Sequence, residues 1–337
     1  MIYVDDDHLE IRFPEVHKNA GIRINFQRTL RIPDDGQTYH LPPGLGQFPI
    51  RHIEDFDLKD QNHLKERGGI IMPMFQAEAL WLNFDSLEVF GDVDYPVAVK
   101  IGTGKICAIS GDSWTSTLNK DPQDYLVVPE QPWIDGYNVD TGIVRQFVAA
   151  PLGQGYTVEE QLTGEANVGG LQIQAFPMKK EYYDKINQPI EKEYCDEMRS
   201  SVSFSLAAPS MDMGLAPGGS MHQEIYEDPH DFEVWDLRKT QRCFVTIANA
   251  EQWMTVTGEE PVASPCSSRA YTEAGLPWFK YYDDDQVAIE GAKRLGNIKS
   301  IKNVIPKTGD NIWVDEQSTI KQKIQYIIKK KVSSGPW

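Results

Sequence analysis

Ile22-Arg23-Ile24-Asn25-Phe26-Gln27-Arg28-Thr29-Leu30-Arg31-Ile32 alternates apolar and polar side chains with a period of two. Ile22, Ile24 and Phe26 fall on one face and Arg23, Asn25 and Gln27 on the other, the pattern of a half-buried strand. Asp34-Asp35-Gly36 follows as a turn. Leu41-Pro42-Pro43-Gly44-Leu45-Gly46 is a loop, because proline cannot donate to a ladder.

The same reading extends along the first half of the chain. Gly69 to Phe75 is a strand, and Ala77 to Phe84 fits strand or helix. Val97–Ile101 and Lys105–Ile109 flank Gly102-Thr103-Gly104 as a hairpin, and Trp133–Val139 and Ile143–Ala149 flank Asp140-Thr141-Gly142 as another. Leu171 to Phe176 alternates again. Thr157-Val158-Glu159-Glu160 has the spacing of a capping box, with Gly164 to end the short helix. After residue 180 helical patterns become more frequent: Lys179 to Met198, a helix capped by Asn249 and ending at Gly258, and one capped by Asp285 and stopped at Gly296. Arg242 to Ala248 is a strand. Ile320, Ile324, Ile327 and Ile328 lie at i, i+4, i+7 and i+8, so the spacing predicts an amphipathic C-terminal helix followed by Lys329-Lys330-Lys331.

These elements predict an α+β fold, mainly antiparallel β in its first half, with sandwich- or barrel-like sheets and helices concentrated after residue 180. The absence of regular β-α alternation argues against a doubly wound sheet or a TIM barrel. Residues 200–220 are rich in Ser, Ala, Pro and Gly, the composition of a linker or long loop. The expected division is a β-rich domain over 1–199, that linker, a smaller α+β domain over 221–310, and a C-terminal helix or tail over 311–337.

Composition narrows the function classes. The formal charge is 33 − 50 = −17 over 337 residues. A field of that sign repels phosphate backbones, so nucleic-acid binding is disfavoured. No apolar run approaches the roughly 18 residues of a membrane span. The N-terminus lacks the basic and apolar regions of a signal peptide, and the four cysteines form neither C-x-x-C pairs nor zinc-finger spacings. A reduced, cytoplasmic protein is expected.

Candidate sites are few. Gly102-Thr103-Gly104-Lys105 is not a phosphate loop, because no Ser or Thr follows the lysine and both flanks are strands. No G-x-S-x-G or S-x-x-K nucleophile motif is present. Met221 to Asp236 is the densest polar stretch. His222 and Glu224 share one face if they lie on a strand, and with His230 they are candidate ligands for a transition metal. The triplets Asp5-Asp6-Asp7 and Asp283-Asp284-Asp285 are oxygen-rich candidates for calcium, without the D-x-[DN]-x-[DN]-G spacing. No cofactor is predicted from a motif. Pro277-Trp278-Phe279-Lys280-Tyr281-Tyr282 is the most aromatic segment. Trp278, Phe279, Tyr281 and Tyr282, with the isoleucines 320, 324, 327 and 328, are candidate docking residues for a protein partner or for self-association.

Several stretches together resemble a family of uncharacterised bacterial proteins. They are Arg23 to Ile32 with the following Pro42-Pro43-Gly44-Leu45-Gly46 loop, Gln131-Pro132-Trp133-Ile134-Asp135-Gly136, Arg145-Gln146-Phe147-Val148 leading to Gly155-Tyr156-Thr157, Tyr271-Thr272-Glu273, and Gly275-Leu276-Pro277-Trp278-Phe279. The resemblance spans roughly residues 20 to 300. It implies a bacterial cytoplasmic protein and carries no site residue. With no reactive motif, the expected function is non-catalytic binding or assembly. The alternative is a metal-dependent enzyme with a barrel-like site around His222, Glu224 and His230.

Overall fold

The structure is a computed structural model that describes residues 1–58, 62–87, 93–186, 213–263, 266–282, 286–304 and 323–328. Gly21–Thr29 forms as the alternation requires, with Ile22, Ile24 and Phe26 fully buried. Its second face is also partly covered. Arg23 bonds Glu10, and Arg28 is buried in an ion pair with Glu78 at 2.5 Å.

This strand lies inside a ten-stranded sheet. Ile2–Asp5, His8–Arg12, Gly21–Thr29, Ala79–Ser86, Ile143–Pro151, Met213–His222 and Thr38–Tyr39 follow one another across it. All neighbours are antiparallel except the last pair. A second sheet has seven strands. Ile106–Cys107, Val97–Thr103, Leu171–Pro177, Gln241–Ala248, Ile70–Pro73 and Arg51–His52 run in that order, and Leu126–Val128 pairs with Val97–Thr103. Neither sheet closes into a barrel. One hydrophobic cluster draws on both, including Ile24, Phe26, Leu82 and Phe147 from the larger sheet and Val99, Ile101, Ile173 and Val245 from the smaller. Strands account for 40% of the described residues and helices for 17%. The chain is therefore mainly β rather than an even α+β mixture.

The local turn chemistry decides several elements. Thr157 Oγ1 accepts from the Glu160 N–H, the Glu160 carboxylate accepts from the Thr157 N–H, and Gly164 closes the Val158–Thr163 helix in the left-handed conformation. Asn249 Oδ1 accepts from the Gln252 N–H to cap Ala250–Thr257, and Gly258 ends it in the left-handed conformation. Both glycine hairpins form. The first turns at Gly104-Lys105, with Thr103 paired to Ile106, and the second at Thr141-Gly142.

Four expectations change. Gly44-Leu45-Gly46, expected in a loop, belongs to the short strand Gly44–Gln47, which pairs with Gly21–Thr29 once the two prolines are past. Residues 213–220, placed in the linker, form most of the buried strand Met213–His222, while 200–212 lie outside the described residues. Gly218 and Gly219 are there because the sheet is too tight for a side chain. An added Cβ would meet Val148 Cγ2 at 2.6 Å and the Pro33 carbonyl oxygen at 2.3 Å. The register shifts at these glycines, between Ser220 opposite Arg145 and Pro217 opposite Phe147. The helix expected from Asp285 is reduced to Lys293–Gly296, with Ala292 at its N-cap position and no side-chain cap, and Asp285 lies outside the described residues. The C-terminal helix is a strand. Lys323–Ile328 pairs in parallel with Pro277–Tyr282, Ile324 opposite Trp278 and Ile328 opposite Tyr282. Positions 320, 324 and 328 satisfy a period of two as well as a helical one. The β-branched and aromatic content of 323–328 favours the strand.

Among the described residues no helix is long and apolar enough to cross a membrane.

Candidate functional site

The metal candidates do not converge. Among the described residues no three His, Cys, Asp or Glu side chains are placed to hold a metal ion. His222 ends its strand beside His40, ring centroids 5.3 Å apart. Burial, with Lys280 nearby, holds both imidazoles below the ordinary histidine range. Glu224 is exposed. His230 sits in a different network, with Nε2 3.8 Å from a Glu130 carboxylate oxygen and its ring edge-on to Trp235. Burial pushes the Glu130 carboxyl up. Next to it the buried Asp228 carboxylate accepts from Tyr125 Oη, Trp235 Nε1 and the His230 N–H. This network fixes the 223–236 segment. Gln123 and Gln131 also hold it, through the backbone of Tyr226, Asp228 and Glu224. Of the calcium candidates, Asp5 and Asp7 bond Arg23 and Arg51 in the first hairpin, and Asp283 to Asp285 lie outside the described residues.

The aromatic segment faces mostly inward. Trp278 is fully buried, edge-on to Tyr271, with Nε1 donating to Thr272 Oγ1. Phe279 is partly buried and exchanges two backbone bonds with Leu41. Tyr281 stands edge-on to Trp133 at 4.7 Å. Ile324 is exposed. Tyr282, Ile327 and Ile328 are described as strand backbone only, and Ile320 lies outside the described residues.

A third location carries the concave surface. On the face of the seven-stranded sheet turned away from the core, Gly102, Gln172 and Phe244 form a row across three adjacent strands. Lys100, Gln174 and Arg242 form the next row. Gly102 has no side chain, and that space is filled by Trp114; a Cβ at position 102 would lie 2.6 Å from Trp114 Cε3. Trp114 is carried by the loop after Ile106–Cys107. Buried Lys100 holds that loop, with Nζ donating to Thr115 Oγ1, the Thr117 carbonyl and the Asp124 carboxylate at 2.5 Å. The same ammonium lies 5.3 Å from the Trp114 ring centroid. Burial pushes the Asp124 carboxyl up, opposed by Lys100 and by the Asn119 N–H.

The result is an open groove of about 800 Å3. Gln172, Phe244 and Arg242 supply its floor and Trp114 one wall. His63, Glu66 and Arg67 of the Asn62–Arg67 helix line another side, and Lys105, Thr163 and Glu165 close an end. Gln172 Nε2 donates to the Gly104 carbonyl at 2.6 Å, which fixes its amide. The Arg242 guanidinium lies 4.8 Å over the Phe244 ring. Lys105 Nζ donates to Glu165 at 2.7 Å, which holds the ammonium above and the carboxyl below their ordinary ranges. Apolar rings with a few fixed polar groups in a cleft of this size are the usual composition of a ligand site. The cavity beside Arg28 and Glu78, about 10 Å3, holds no more than a water molecule.

The groove has almost no linear signature. Its one linear signal was alternation within the buried strands. Gln172 and Gln174 on one strand, and Arg242 and Phe244 on the next, occupy every second position and share the second face, which is polar except for Phe244.

Comparison with family models, with curated proteins and with solved structures finds no match.

Proposed function

We propose that this chain is a non-catalytic binding protein, and that the groove over the Gly102–Gln172–Phe244 row holds its ligand. The observation that carries this reading is the half-buried pair Trp114 and Phe244, set beside fixed amide and guanidinium groups in a cleft of about 800 Å3. Among the described residues, no hydrogen bond joins a groove hydroxyl to a histidine or carboxylate base. His63, Glu66 and Ser113 stand on its exposed edges. The cytoplasmic, bacterial setting expected from the sequence belongs to the same proposal. Assembly through Trp278 to Tyr282 is less well supported, since Trp278 has no exposed surface. The metal-enzyme alternative has no convergent ligand set behind it among the described residues.

The test uses the eight indole N–H resonances of the protein labelled with 15N-tryptophan. Trp114→Phe identifies the Trp114 signal. Screened against a mixed library of small polar ligands, the Trp114 resonance is expected to move before the other seven. Ligands that move only other indoles, or none, would remove the groove from consideration.

A further inference from the structure

We propose that His222, His40 and Lys280 form an acid-sensitive latch, which holds the Pro277–Tyr282 strand on the larger sheet at neutral pH and releases it on mild acidification. The latch shares no residue with the groove. Backbone pairing brings its three side chains into one row. Met213–His222 runs parallel to Thr38–Tyr39 with Met221 opposite Tyr39, so His222 and His40 are the next pair along. Their ring centroids are 5.3 Å apart. One residue on, Leu41 and Phe279 exchange two backbone hydrogen bonds, each 2.9 Å, across an antiparallel bridge. In that register His40 faces Lys280. Three groups that carry or can gain a positive charge therefore stand side by side, where the Pro277–Tyr282 strand meets the larger sheet.

Among the described residues the strand's only partner in its own sheet is Lys323–Ile328, and two strands alone are marginal in water. Its docking rests on the Leu41–Phe279 bridge, on Trp278 beside Tyr39 with ring centroids 6.3 Å apart, and on Tyr281 against Trp133. The groups acting on His40 are His222 and Lys280, and Lys280 acts on His222; together with burial they disfavour both imidazolium ions. Carboxylates of the neighbouring turns face elsewhere. Asp35 accepts from Tyr39 Oη and the Gln37 N–H, Asp140 accepts from the Thr141 N–H, and Glu224 stands exposed beside Gly142. Asp283 to Asp285 lie outside the described residues. A histidine held neutral while docked regains its ordinary pKa of about 6.5 on release. Docking is therefore fully favoured above that pH and weakens as pH falls, by up to about tenfold per histidine at pH 5.5. His40 is half-buried and supplies most of this; His222 is exposed, so its charge is screened and contributes less.

The experiment is amide hydrogen exchange of the full chain at pH 7.5 and 5.5, read by mass spectrometry and expressed as protection relative to the intrinsic exchange rate at each pH. The peptides containing Leu41 and Phe279 should lose about tenfold of their protection at pH 5.5. Leu171–Pro177, paired on both sides, should change by less than about twofold. His40→Gln removes the titrating group and should abolish most of the fall. Lys280→Met keeps the stem of a half-buried side chain and removes one charge, and should shrink the fall by about two- to fivefold. It decides the question if His40→Gln already leaves these peptides unprotected at pH 7.5. Undiminished protection of the Leu41 and Phe279 peptides at pH 5.5, an equal loss in Leu171–Pro177, or an unchanged fall in Lys280→Met would overturn the proposal.

Discussion

Asp135 gives a quantitative test of how the larger sheet is built. Its carboxyl is buried at 3% exposure and accepts from Trp133 Nε1 at 2.7 Å, while its own N–H donates to Gln223 Oε1. Burial pushes its pKa up to about 7, and the Trp133 hydrogen bond only partly opposes that shift. In the unfolded chain the same group titrates near ~3.9. Below that value both states are protonated and Asp135 costs nothing. Between pH 4 and 7 the unfolded chain releases a proton that the folded chain retains, so stability falls as pH rises. The slope is about 1.4 kcal/mol per pH unit, at most about 4 kcal/mol in all, levelling off above pH 7. Asp135→Asn keeps an acceptor for Trp133 and removes the titration. Urea unfolding followed by circular dichroism at half-unit steps from pH 4 to 8 reads the difference between the two proteins. The advantage of the asparagine variant is expected to grow by a few kcal/mol across that range. Parallel curves, within about 0.5 kcal/mol at every pH, would refute the reasoning, because Asp135 would then ionise as freely folded as unfolded.

Other consequences are as direct. Lys100→Met leaves Asp124 buried without its cation, so it should cost about 3–5 kcal/mol in urea unfolding and displace the Trp114 indole resonance, since Lys100 also anchors the 115–117 loop. Thr157→Ala removes the hydroxyl that accepts from the Glu160 N–H, while the residue 157 N–H still donates to the Glu160 carboxylate, and should cost about 1 kcal/mol by the same assay. Cys243 is buried, with its thiol pushed up to about 12, and the buried Cys107 thiol is also raised, whereas Cys266 is exposed. Brief iodoacetamide treatment at pH 8, read by peptide mapping, should therefore label Cys266 and spare Cys107 and Cys243.

Short-range chemistry made part of the fold legible. The Ile22 to Phe26 alternation, the two glycine hairpins and the Thr157 and Asn249 caps depend on residues a few positions apart, and all of them form. The failures come from long-range packing. Ala216-Pro217-Gly218-Gly219 has the composition of a loop, but the close approach of Val148 and Pro33 demands residues without side chains in the middle of a sheet. The isoleucines at 324 and 328 fit two periods, and only pairing with Pro277–Tyr282 decides between them. The groove was hidden for the same reason. Arg67, Lys105, Trp114, Gln172 and Arg242 come from five separate segments. The residue that makes room for Trp114 is a glycine, which in sequence marks only a turn. His222, Glu224 and His230 are close in sequence, and yet His222 pairs with His40 and His230 with Glu130.

The groove is tested most directly by a crystal structure of the chain soaked with whichever compound moves the Trp114 resonance most. Ligand density is expected across the Gly102–Gln172–Phe244 row, with a ring against Trp114 or Phe244 and a polar group on Arg242. An empty groove, in crystals where the same compound occupies another surface, would contradict it.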